Sequence, residues 1–281
     1  MDWNWISYED LHRDGARFAA ALPADIGGIV GVPRSGLLTA CIVGLHRHLP
    51  VADVETFCRT GEFYRPSQRL RETPPAKRPR VLLLDDSIFS GRTMGAAVAK
   101  IRASRPETPL VRAAVYAAPG SQRHIDLFHR VVAMPRVFAW NWLASAHLGE
   151  FLSDIDGVLC YDPGVFDNDG PQYQDALRHA RPFYLPRQPV GGLITCRLAR
   201  WRNITRDWLA RHGVRYGKLT MYPAATADER RARGGYGQWK GEHFRRSQFT
   251  LCFESSRHQA PAIAATSGKP VVCLENGKLY K

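Results

Sequence analysis

The sequence lacks the features that mark several common classes of protein. Its 281 residues contain no apolar run of membrane-spanning length, and acidic and aromatic residues follow Met1 where a signal peptide would be basic and apolar. No Walker loop, GxGxxG fingerprint, internal repeat or low-complexity tract occurs in it. These absences argue against a membrane protein and against a Walker or dinucleotide-binding fold, and we expect a cytoplasmic protein.

Cysteine and acidic residues are both in short supply. The six cysteines form no CxxC pair and no metal-ligand spacing, so we expect reduced, buried thiols. Asp and Glu number 26 against 39 Lys and Arg, which gives a formal net charge of +13. A basic chain suits phosphorylated small molecules as well as nucleic acid. The scattered arginines and the lack of a nucleic-acid motif favour the small molecule, with no membrane partner, and a homodimer is left open.

The most informative stretch runs from residue 81 to residue 94. Residues 81–84 are apolar and predict a buried strand, and Asp85 and Asp86 follow where this strand is expected to end. A Ser-Gly-Arg-Thr turn comes next and opens a helix. Ligands bind at the carboxyl ends of parallel strands, and helix N-termini attract phosphate. The stretch therefore predicts a site for a sugar phosphate with vicinal hydroxyls.

This order of residues resembles the phosphoribosyl pyrophosphate signature of type I phosphoribosyltransferases. An earlier loop, residues 33–36 after a predicted strand at 26–32, resembles the pyrophosphate-binding loop of the same family. The resemblance implies a transferase that uses Mg²⁺, with the acid pair on the ribose hydroxyls and the following turn on the 5-phosphate. The residues implied to bind phosphoribosyl pyrophosphate are Arg34, Ser35, Gly36, Asp85, Asp86, Ser90, Gly91, Arg92 and Thr93.

Other residues bear on the acceptor and on closure of this site. Hypoxanthine-guanine members of the family carry an Asp three residues after the acid pair, where this chain has Phe89, so a non-purine acceptor is predicted. The basic segment 59–80 resembles the family's mobile lid, with a solvated loop as the alternative. Its candidate residues are Tyr64, Arg65, Arg69 and Arg71. Aromatic residues that either stack on the acceptor or belong to the core are Phe138, Trp140 and Trp142.

A second strand that ends in acids begins near residue 151. The sequence Asp-Ile-Asp-Gly at 154–157 resembles the opening motif of the haloacid dehalogenase superfamily, in which the first Asp attacks phosphorus and the second handles the proton. The resemblance also implies a hydroxyl and a cation for the phosphate, and a carboxylate set for Mg²⁺. The implied residues are Asp154 as nucleophile and Asp156 as acid and base, Thr195 and Lys240 (with Lys218 second) for phosphate, and Asp154, Asp156 and Glu254 for the metal.

The chain departs from that superfamily in its last motif. The superfamily usually supplies a second acid soon after the first, whereas Ser-Ser-Arg-His follows Glu254 here. Metal affinity and phosphatase activity in the second half therefore stay open. Asp167 and Asp169 are candidates to complete the metal site, and together with Asp162 they are otherwise turn residues.

These patterns predict an α/β protein of two domains, each a mainly parallel sheet with flanking helices. Residues 1–147 are expected to form the phosphoribosyltransferase-like domain, and residues 148–281 the haloacid dehalogenase-like domain. Strands are expected at 51–58 and 131–138 in the first. Three functions compete: a transferase whose second domain dephosphorylates the product, a transferase with an inactive second domain, and a regulatory protein that senses phosphoribosyl pyrophosphate.

Overall fold

A computed structural model of the chain describes residues 1–64, 79–164 and 169–281. They form two compact units. Tyr8–Arg136 make the N-terminal unit, whereas Met1–Ser7 and Val137–Lys281 together make the C-terminal unit. The boundary expected at residue 147 thus differs from the division by contacts, since the first seven residues and the segment 137–147 pack with the C-terminal unit.

The elements follow one another as in an α/β protein. Up to residue 138 they are β1 Asn4–Ile6, α1 Tyr8–Ala20, β2 Ile26–Gly31, α2 Ser35–Arg47, β3 Val51–Asp53, α3 Val54–Thr60, β4 Arg80–Ile88, α4 Arg92–Ser104, β5 Leu110–Ala117, β6 Leu127–Val131 and β7 Arg136–Phe138. The remaining elements are β8 Phe151–Ser153, α5 Pro171–His179, β9 Val190–Leu198, α6 Arg202–Arg211, β10 Tyr216–Tyr222, α7 Ala227–Arg233, α8 Tyr236–Arg245, β11 Leu251–Glu254, α9 Gln259–Ser267, β12 Val271–Cys273 and β13 Lys278–Tyr280.

The described residues of the N-terminal unit form a five-stranded parallel sheet in the order β3-β2-β4-β5-β6. The chain order reverses between β2 and β4, which is the switch point where open α/β sheets bind ligands. Leu83 of β4 packs in one apolar cluster with Met94 and Ile101, which lie at helical spacing on α4. This core fixes the loops after β2 and β4 beside each other.

Strand β4 is longer than the sequence predicted. It was expected to end at residue 84, but its pairing with β5 continues through Asp85 opposite Ala114 to Ile88 opposite Ala117. The acid pair therefore lies within the strand, because the apolar partner strand continues alongside it. The prediction of a strand at 51–58 was also wrong beyond Asp53, where the strand ends. The Asp53 carboxylate caps α3 by accepting a 3.0 Å hydrogen bond from the Thr56 N–H.

The described residues of the C-terminal unit form a six-stranded sheet in the order β10-β9-β8-β11-β12-β13. All neighbouring pairs are parallel except β12 with β13. The chain order reverses at β8, so the carboxyl ends of β8 and β11 flank the switch point of this sheet. Strands β1 and β7 form a separate short pair. Their residues belong to the C-terminal unit, with the exception of Arg136.

Large aromatic side chains build the core of the C-terminal unit. Trp208 of α6 and Phe253 of β11 are fully buried in one cluster, and Phe244 of α8 is fully buried in a second. These clusters hold β8, β9 and β11 in place, and with them the residues at the ends of those strands. In the described parts of the chain, no helix combines the length and apolar character that a membrane crossing needs.

Candidate functional site

The first candidate site lies in the N-terminal unit, at the switch point of its sheet. The hydroxyl of Ser35, at the start of α2, donates a 2.7 Å hydrogen bond to the Asp86 carboxylate in β4. Asp86 is buried, and its backbone N–H donates to Asp85 Oδ1 at 2.9 Å. The structure thus joins the predicted pyrophosphate loop to the predicted ribose ligands, which stand far apart in the sequence.

Gly36 allows this close approach. A Cβ at this position would lie 2.8 Å from Asp85 Oδ1, 2.9 Å from the Asp85 Cα and 2.9 Å from the carbonyl oxygen of Leu84. Contacts this short are closer than side chains tolerate, so the position suits glycine. The neighbouring Arg34 is exposed, and the Pro33–Arg34 peptide bond is cis. The loop presents an exposed guanidinium from a backbone that lies directly against β4.

The acid pair concentrates negative charge. Burial, and then the charge of Asp86, raise the pKa of Asp85 to about 8. A divalent cation beside the pair would favour the charged carboxylates, and carboxylate oxygens are ligands that Mg²⁺ prefers. Asp85 and Asp86 therefore fit the Mg²⁺-bound sugar phosphate that the sequence predicted. The metal would neutralise the pyrophosphate when bound.

The predicted phosphate loop forms a turn and the first turn of a helix. Gly91 precedes α4 with a φ of +74°, a left-handed conformation that glycine adopts without strain. The backbone N–H of Arg92 approaches Ser90 Oγ at 3.5 Å, and its Nε does so at 3.4 Å. No acidic residue lies in the first turn of α4, and Thr93 is exposed there. This helix start therefore suits a phosphate.

Arg136 lies beside the same acids and was missed by the sequence analysis. Its Nη2 donates a 2.9 Å hydrogen bond to the carbonyl oxygen of Ile88, at the end of β4. Burial lowers the pKa of Arg136, and the charge of Asp86 opposes that shift. The residue was assigned to the interior of a strand at 131–138, and nothing in that local pattern distinguishes it from a surface arginine.

The residues proposed for a lid and for acceptor stacking have mixed outcomes. The Tyr64 hydroxyl donates to the Asp53 carboxylate, whereas Arg65, Arg69 and Arg71 lie outside the described residues. Trp142 is buried and stacks on Phe253 with ring centroids 4.2 Å apart, which makes it a core residue of the C-terminal unit. Phe138 and Trp140 stack on each other in the same unit, with centroids 5.0 Å apart.

The second candidate site lies at the carboxyl ends of β8 and β11 in the C-terminal unit. Asp154 directly follows β8, and its Oδ1 accepts a 2.8 Å hydrogen bond from the Ile155 N–H. The ammonium of Lys240 donates to Asp154 Oδ2 at 2.8 Å and to Glu254 Oε2 at 2.7 Å. Lys240 is only 1 % exposed, and both acids are buried. Lys240 therefore supplies the counter-charge for two carboxylates.

Titration within this buried cluster follows from its charges. Burial, and then the charge of Glu254, raise the pKa of Asp154 above its ordinary value. Burial acts to lower the pKa of Lys240, but the charges of Asp154 and Glu254 raise it well above its ordinary value. The lysine therefore stays charged, and one ammonium has to balance two carboxylates.

Asp156 is bound to an arginine that the sequence analysis did not select. Arg197 of β9 donates from Nη2 to Asp156 Oδ1 at 2.6 Å and from Nε to Oδ2 at 3.0 Å, and it is 1 % exposed. Burial acts to raise the pKa of Asp156, but the Arg197 charge and hydrogen bonds lower it below the ordinary value. A charged residue within the mainly apolar segment 193–198 needs a partner of opposite charge when it is buried. The sequence therefore contained a signal for Arg197.

A cavity of about 320 Å³ opens beside these acids. Asp154, Asp156 and Lys240 contribute to its wall, as the sequence predicted for a common site. Thr195 is fully buried and donates a 3.3 Å hydrogen bond to Asp156 Oδ2, so it acts on that carboxylate. Lys218 lies on β10 and is exposed. The predicted catalytic acids and the lysine therefore lie at one cavity. The Thr195 hydroxyl lies against one of these acids, Asp156.

The carboxylates of the second site do not fit Mg²⁺ as they are arranged. Within residues 1–64, 79–164 and 169–281, no group of three or more metal-ligating side chains is placed to hold an ion. Asp154 and Glu254 share Lys240, and Asp156 faces Arg197, so each predicted ligand already has a cation. Asp169 instead contacts the Arg200 guanidinium and the Ala227 N–H. Asp162 lines the cavity, and Asp167 lies outside the described residues.

Comparisons with solved structures give likenesses over about half of the chain, in its N-terminal region. No protein-family model and no curated protein matches the sequence. A purine phosphoribosyltransferase from Pyrococcus horikoshii is 22 % identical with a TM-score of 0.37, over 50 % of this chain and 95 % of its own. A xanthine-guanine-hypoxanthine phosphoribosyltransferase from Helicobacter pylori is 16 % identical with a TM-score of 0.38, over 50 % and 93 %.

A third solved structure gives a similar result. Adenine phosphoribosyltransferase from Leishmania tarentolae is 14 % identical with a TM-score of 0.31, over 45 % of this chain and 72 % of its own. The neighbours over about half the chain are thus phosphoribosyltransferases, whereas nothing found shows a haloacid dehalogenase-like fold for the C-terminal unit.

Proposed function

We propose that the N-terminal unit binds phosphoribosyl pyrophosphate and transfers its phosphoribosyl group to a small, non-purine acceptor. One observation carries this proposal. The 2.7 Å hydrogen bond from Ser35 to Asp86 joins a pyrophosphate-type loop to a ribose-type acid pair at the switch point of a parallel sheet. A sugar that carries both a phosphate and a pyrophosphate is a ligand that needs both loops at once.

Each part of the site has a task in the transfer. Asp85 and Asp86 hold the vicinal hydroxyls of the ribose, while Ser90 and the first turn of α4 hold its 5-phosphate. The bond from the sugar carbon to pyrophosphate breaks, and the acceptor's nucleophilic atom forms the new bond. Pyrophosphate leaves with the electron pair, so the Arg34 guanidinium stabilises the charge that develops on it, and Mg²⁺ held at Asp85 and Asp86 would supply further positive charge.

Phe89 points to the class of acceptor. It is 66 % exposed between the acid pair and the phosphate turn. A phenyl ring cannot accept or donate a proton, so the base that faces a 6-oxopurine in hypoxanthine-guanine enzymes is missing. A pyrimidine, another small aromatic compound or a non-nucleobase acceptor fits this position better, and we expect no turnover of hypoxanthine or guanine.

Calorimetry with phosphoribosyl pyrophosphate and Mg²⁺ tests the proposal. The double variant Asp85→Asn, Asp86→Asn should abolish binding, because amides replace the charged ligands of the hydroxyls and metal. Glu107→Gln is the matched control, since it neutralises an exposed acid of the same unit and should bind as the wild type does. Unchanged affinity in the double variant would refute the site.

A panel of acceptors then separates an enzyme from a sensor. Pyrophosphate release with a pyrimidine or another non-purine acceptor is the expected result. Efficient turnover of hypoxanthine or guanine would contradict the acceptor class. Tight binding without release across the whole panel would favour the alternative of a protein that senses phosphoribosyl pyrophosphate.

A second candidate function belongs to the C-terminal unit, and it is hydrolysis of a phosphomonoester such as the product of the first unit. It is supported by the cavity, whose wall carries the Asp154 carboxylate as a nucleophile for phosphorus. The pairing of Asp156 with Arg197 and of Asp154 with Lys240 favours slow turnover, because both acids are already engaged. An inactive unit that only binds its ligand is the remaining alternative.

A further inference from the structure

The cavity of the C-terminal unit contains one cation whose role is unexplained. Lys240 serves Asp154 and Glu254, and Arg197 serves Asp156. Arg230 of α7 also lines the cavity, yet among the described residues it forms no ion pair. Lys240 and Arg197 are therefore both engaged with acids. Arg230 is the cation of the cavity that has no acidic partner among the described residues.

Its contacts hold the Arg230 guanidinium in a fixed position. Nη1 donates a 2.9 Å hydrogen bond to the carbonyl oxygen of Cys196 in β9. The guanidinium carbon also lies over the ring of Tyr236, 5.5 Å from its centroid, within the range of a cation–π contact. These contacts hold one side of the planar guanidinium in place. The orientation of its opposite edge is therefore fixed as well.

That other side is the edge formed by Nε and Nη2. Nε is buried, and within the described parts of the chain it has no hydrogen-bond acceptor. Within the same parts of the chain Nη2 makes no hydrogen bond either, since Arg230 donates to Cys196 through Nη1. A buried donor without an acceptor is costly, and this edge is the one with which arginine binds two oxygens of an oxyanion.

We propose that this cavity binds a small phosphomonoester and that Arg230 is the residue that binds its phosphate. Two oxygens of the phosphate accept hydrogen bonds from Nε and Nη2, which satisfies the buried donor. The proposal deepens the second candidate function by assigning the phosphate to Arg230, whereas the sequence assigned it to Lys240 and Thr195. It concerns binding, so it holds or fails separately from hydrolysis and from phosphoribosyl transfer.

The polar wall of the cavity suits the rest of such a ligand. Ser256, Gln259 and Tyr173 also line it, and they offer hydroxyl and amide groups to an ester carrying hydroxyls. The carboxylates of Asp154 and Asp156 do not repel the phosphate at full strength, because Lys240 and Arg197 lie against them. The ligand class is therefore a hydroxylated phosphomonoester small enough for about 320 Å³.

Titration of the full chain with inorganic phosphate tests the assignment. All seven tryptophans lie in the C-terminal unit, so their fluorescence reports this unit even if phosphate also binds elsewhere. Arg230→Gln should weaken the fluorescence-detected binding at least about tenfold, the effect of losing charge-assisted hydrogen bonds. Arg231→Gln removes the same charge from an exposed neighbour on α7 and should bind as the wild type does.

A second Arg230 variant and a titration with acetate complete the test. Arg230→Lys keeps the charge but loses the paired N–H edge, and it should fall between the wild type and Arg230→Gln. It also replaces Arg230→Gln if that variant fails a circular-dichroism check of folding. Equal phosphate affinity in the Arg230 and Arg231 variants would overturn the assignment. Acetate binding as tightly as phosphate would overturn the ligand class, since a carboxylate would then serve equally well.

Discussion

The carboxylates of the two candidate sites differ in how their charge is balanced. In the N-terminal unit, Asp86 accepts from a neutral hydroxyl, and Asp85 beside it has a raised pKa. In the C-terminal unit, Asp156 has the Arg197 guanidinium within 2.6 Å. A like-charged pair favours a cation or hydroxyl donors from a ligand, whereas a fully paired carboxylate is already satisfied by the protein. The raised pKa of Asp85 therefore favours a cation or hydroxyl donors from a ligand at the first pair, whereas Arg197 already balances the charge of Asp156.

Arg197→Met should destabilise the C-terminal unit strongly. The change leaves the half-buried Asp156 carboxylate, which is 20 % exposed, without its fully buried partner, and breaking such a pair typically costs about 3–5 kcal/mol of unfolding free energy. Urea denaturation followed by tryptophan fluorescence measures it, because every tryptophan lies in that unit. Arg206→Met on the exposed face of α6 is the control and should stay within about 0.5 kcal/mol of the wild type.

The difference in stability between the wild type and Arg197→Met should depend on pH, and the pKa of Asp156 gives the sign of that dependence. The pKa of Asp156 is lowered in the folded chain, so the ion pair stabilises fully above the ordinary Asp pKa of about 3.9 and is lost as pH falls through the folded value. In Arg197→Met, burial raises that pKa instead, and protonation relieves the unpaired charge. The stability difference should shrink as pH falls from 7 toward about 3.5. A constant difference across this range would mean that the pair does not act through its charge.

Local patterns predicted some of these residues and missed others for a physical reason. Asp85 and Asp86 stand directly after an apolar run, so their place on a buried strand could be inferred from neighbours in sequence, whereas the continuation of that strand to Ile88 could not. Arg136 and Arg230 owe their positions to contacts with distant segments, namely Ile88 and Cys196. Arginine is common on this basic chain, so no local pattern separated these residues from surface arginines.

The loop after β2 depends on a contact between elements. Gly36 brings α2 directly against β4, where a side chain would meet Asp85 and the Leu84 carbonyl. The loop and the acid pair are thus one rigid arrangement across two strands of the sheet. Their close approach is what would place a pyrophosphate and a ribose side by side.

Gly36→Ala should disturb that arrangement more than it disturbs the fold. A Cβ 2.8 Å from Asp85 Oδ1 must push the loop away, and we expect affinity for phosphoribosyl pyrophosphate to fall at least about tenfold, with a loss of about 1–3 kcal/mol in stability. Gly95→Ala on α4 is the matched control, since a Cβ there meets nothing within 4 Å. It should keep the affinity and gain up to about 1 kcal/mol from helix propensity. Calorimetry showing equal affinity in both variants would contradict this account.

Element boundaries were the weakest part of the sequence analysis. A helix was expected directly after the Ser-Gly-Arg-Thr turn, and α4 begins there at Arg92. The segment 131–138 was expected as one strand, but it holds the last residue of β6 and all of β7, with Pro135 between them. Proline has no N–H for a strand ladder, so that break could have been seen in the sequence.

The described residues form two large sheets besides the short pair of β1 and β7, and each large sheet has a candidate site at its own switch point. The N-terminal site is formed by the loops after β2 and β4, and the C-terminal site by the ends of β8, β9 and β11. Two domains with mainly parallel sheets were predicted from alternating strand and helix patterns. Their division at residue 136 was not, because the packing of residues 1–7 and 137–147 depends on contacts with distant parts of the chain.

Two sites in two compact units should be separable by mutation. Asp85→Asn with Asp86→Asn should abolish phosphoribosyl transfer and leave phosphate release from a supplied phosphomonoester unchanged, because Asp154 belongs to the other unit. Asp154→Asn should do the reverse, since it removes the carboxylate proposed to attack phosphorus. Ribose 5-phosphate, a generic phosphomonoester and the transfer product are the substrates to compare, each with and without Mg²⁺. Slow phosphate release that is lost in Asp154→Asn is the expected result. If the wild type and Asp154→Asn are equally inert on all three, hydrolysis fails and the C-terminal unit is a binding partner of the transferase.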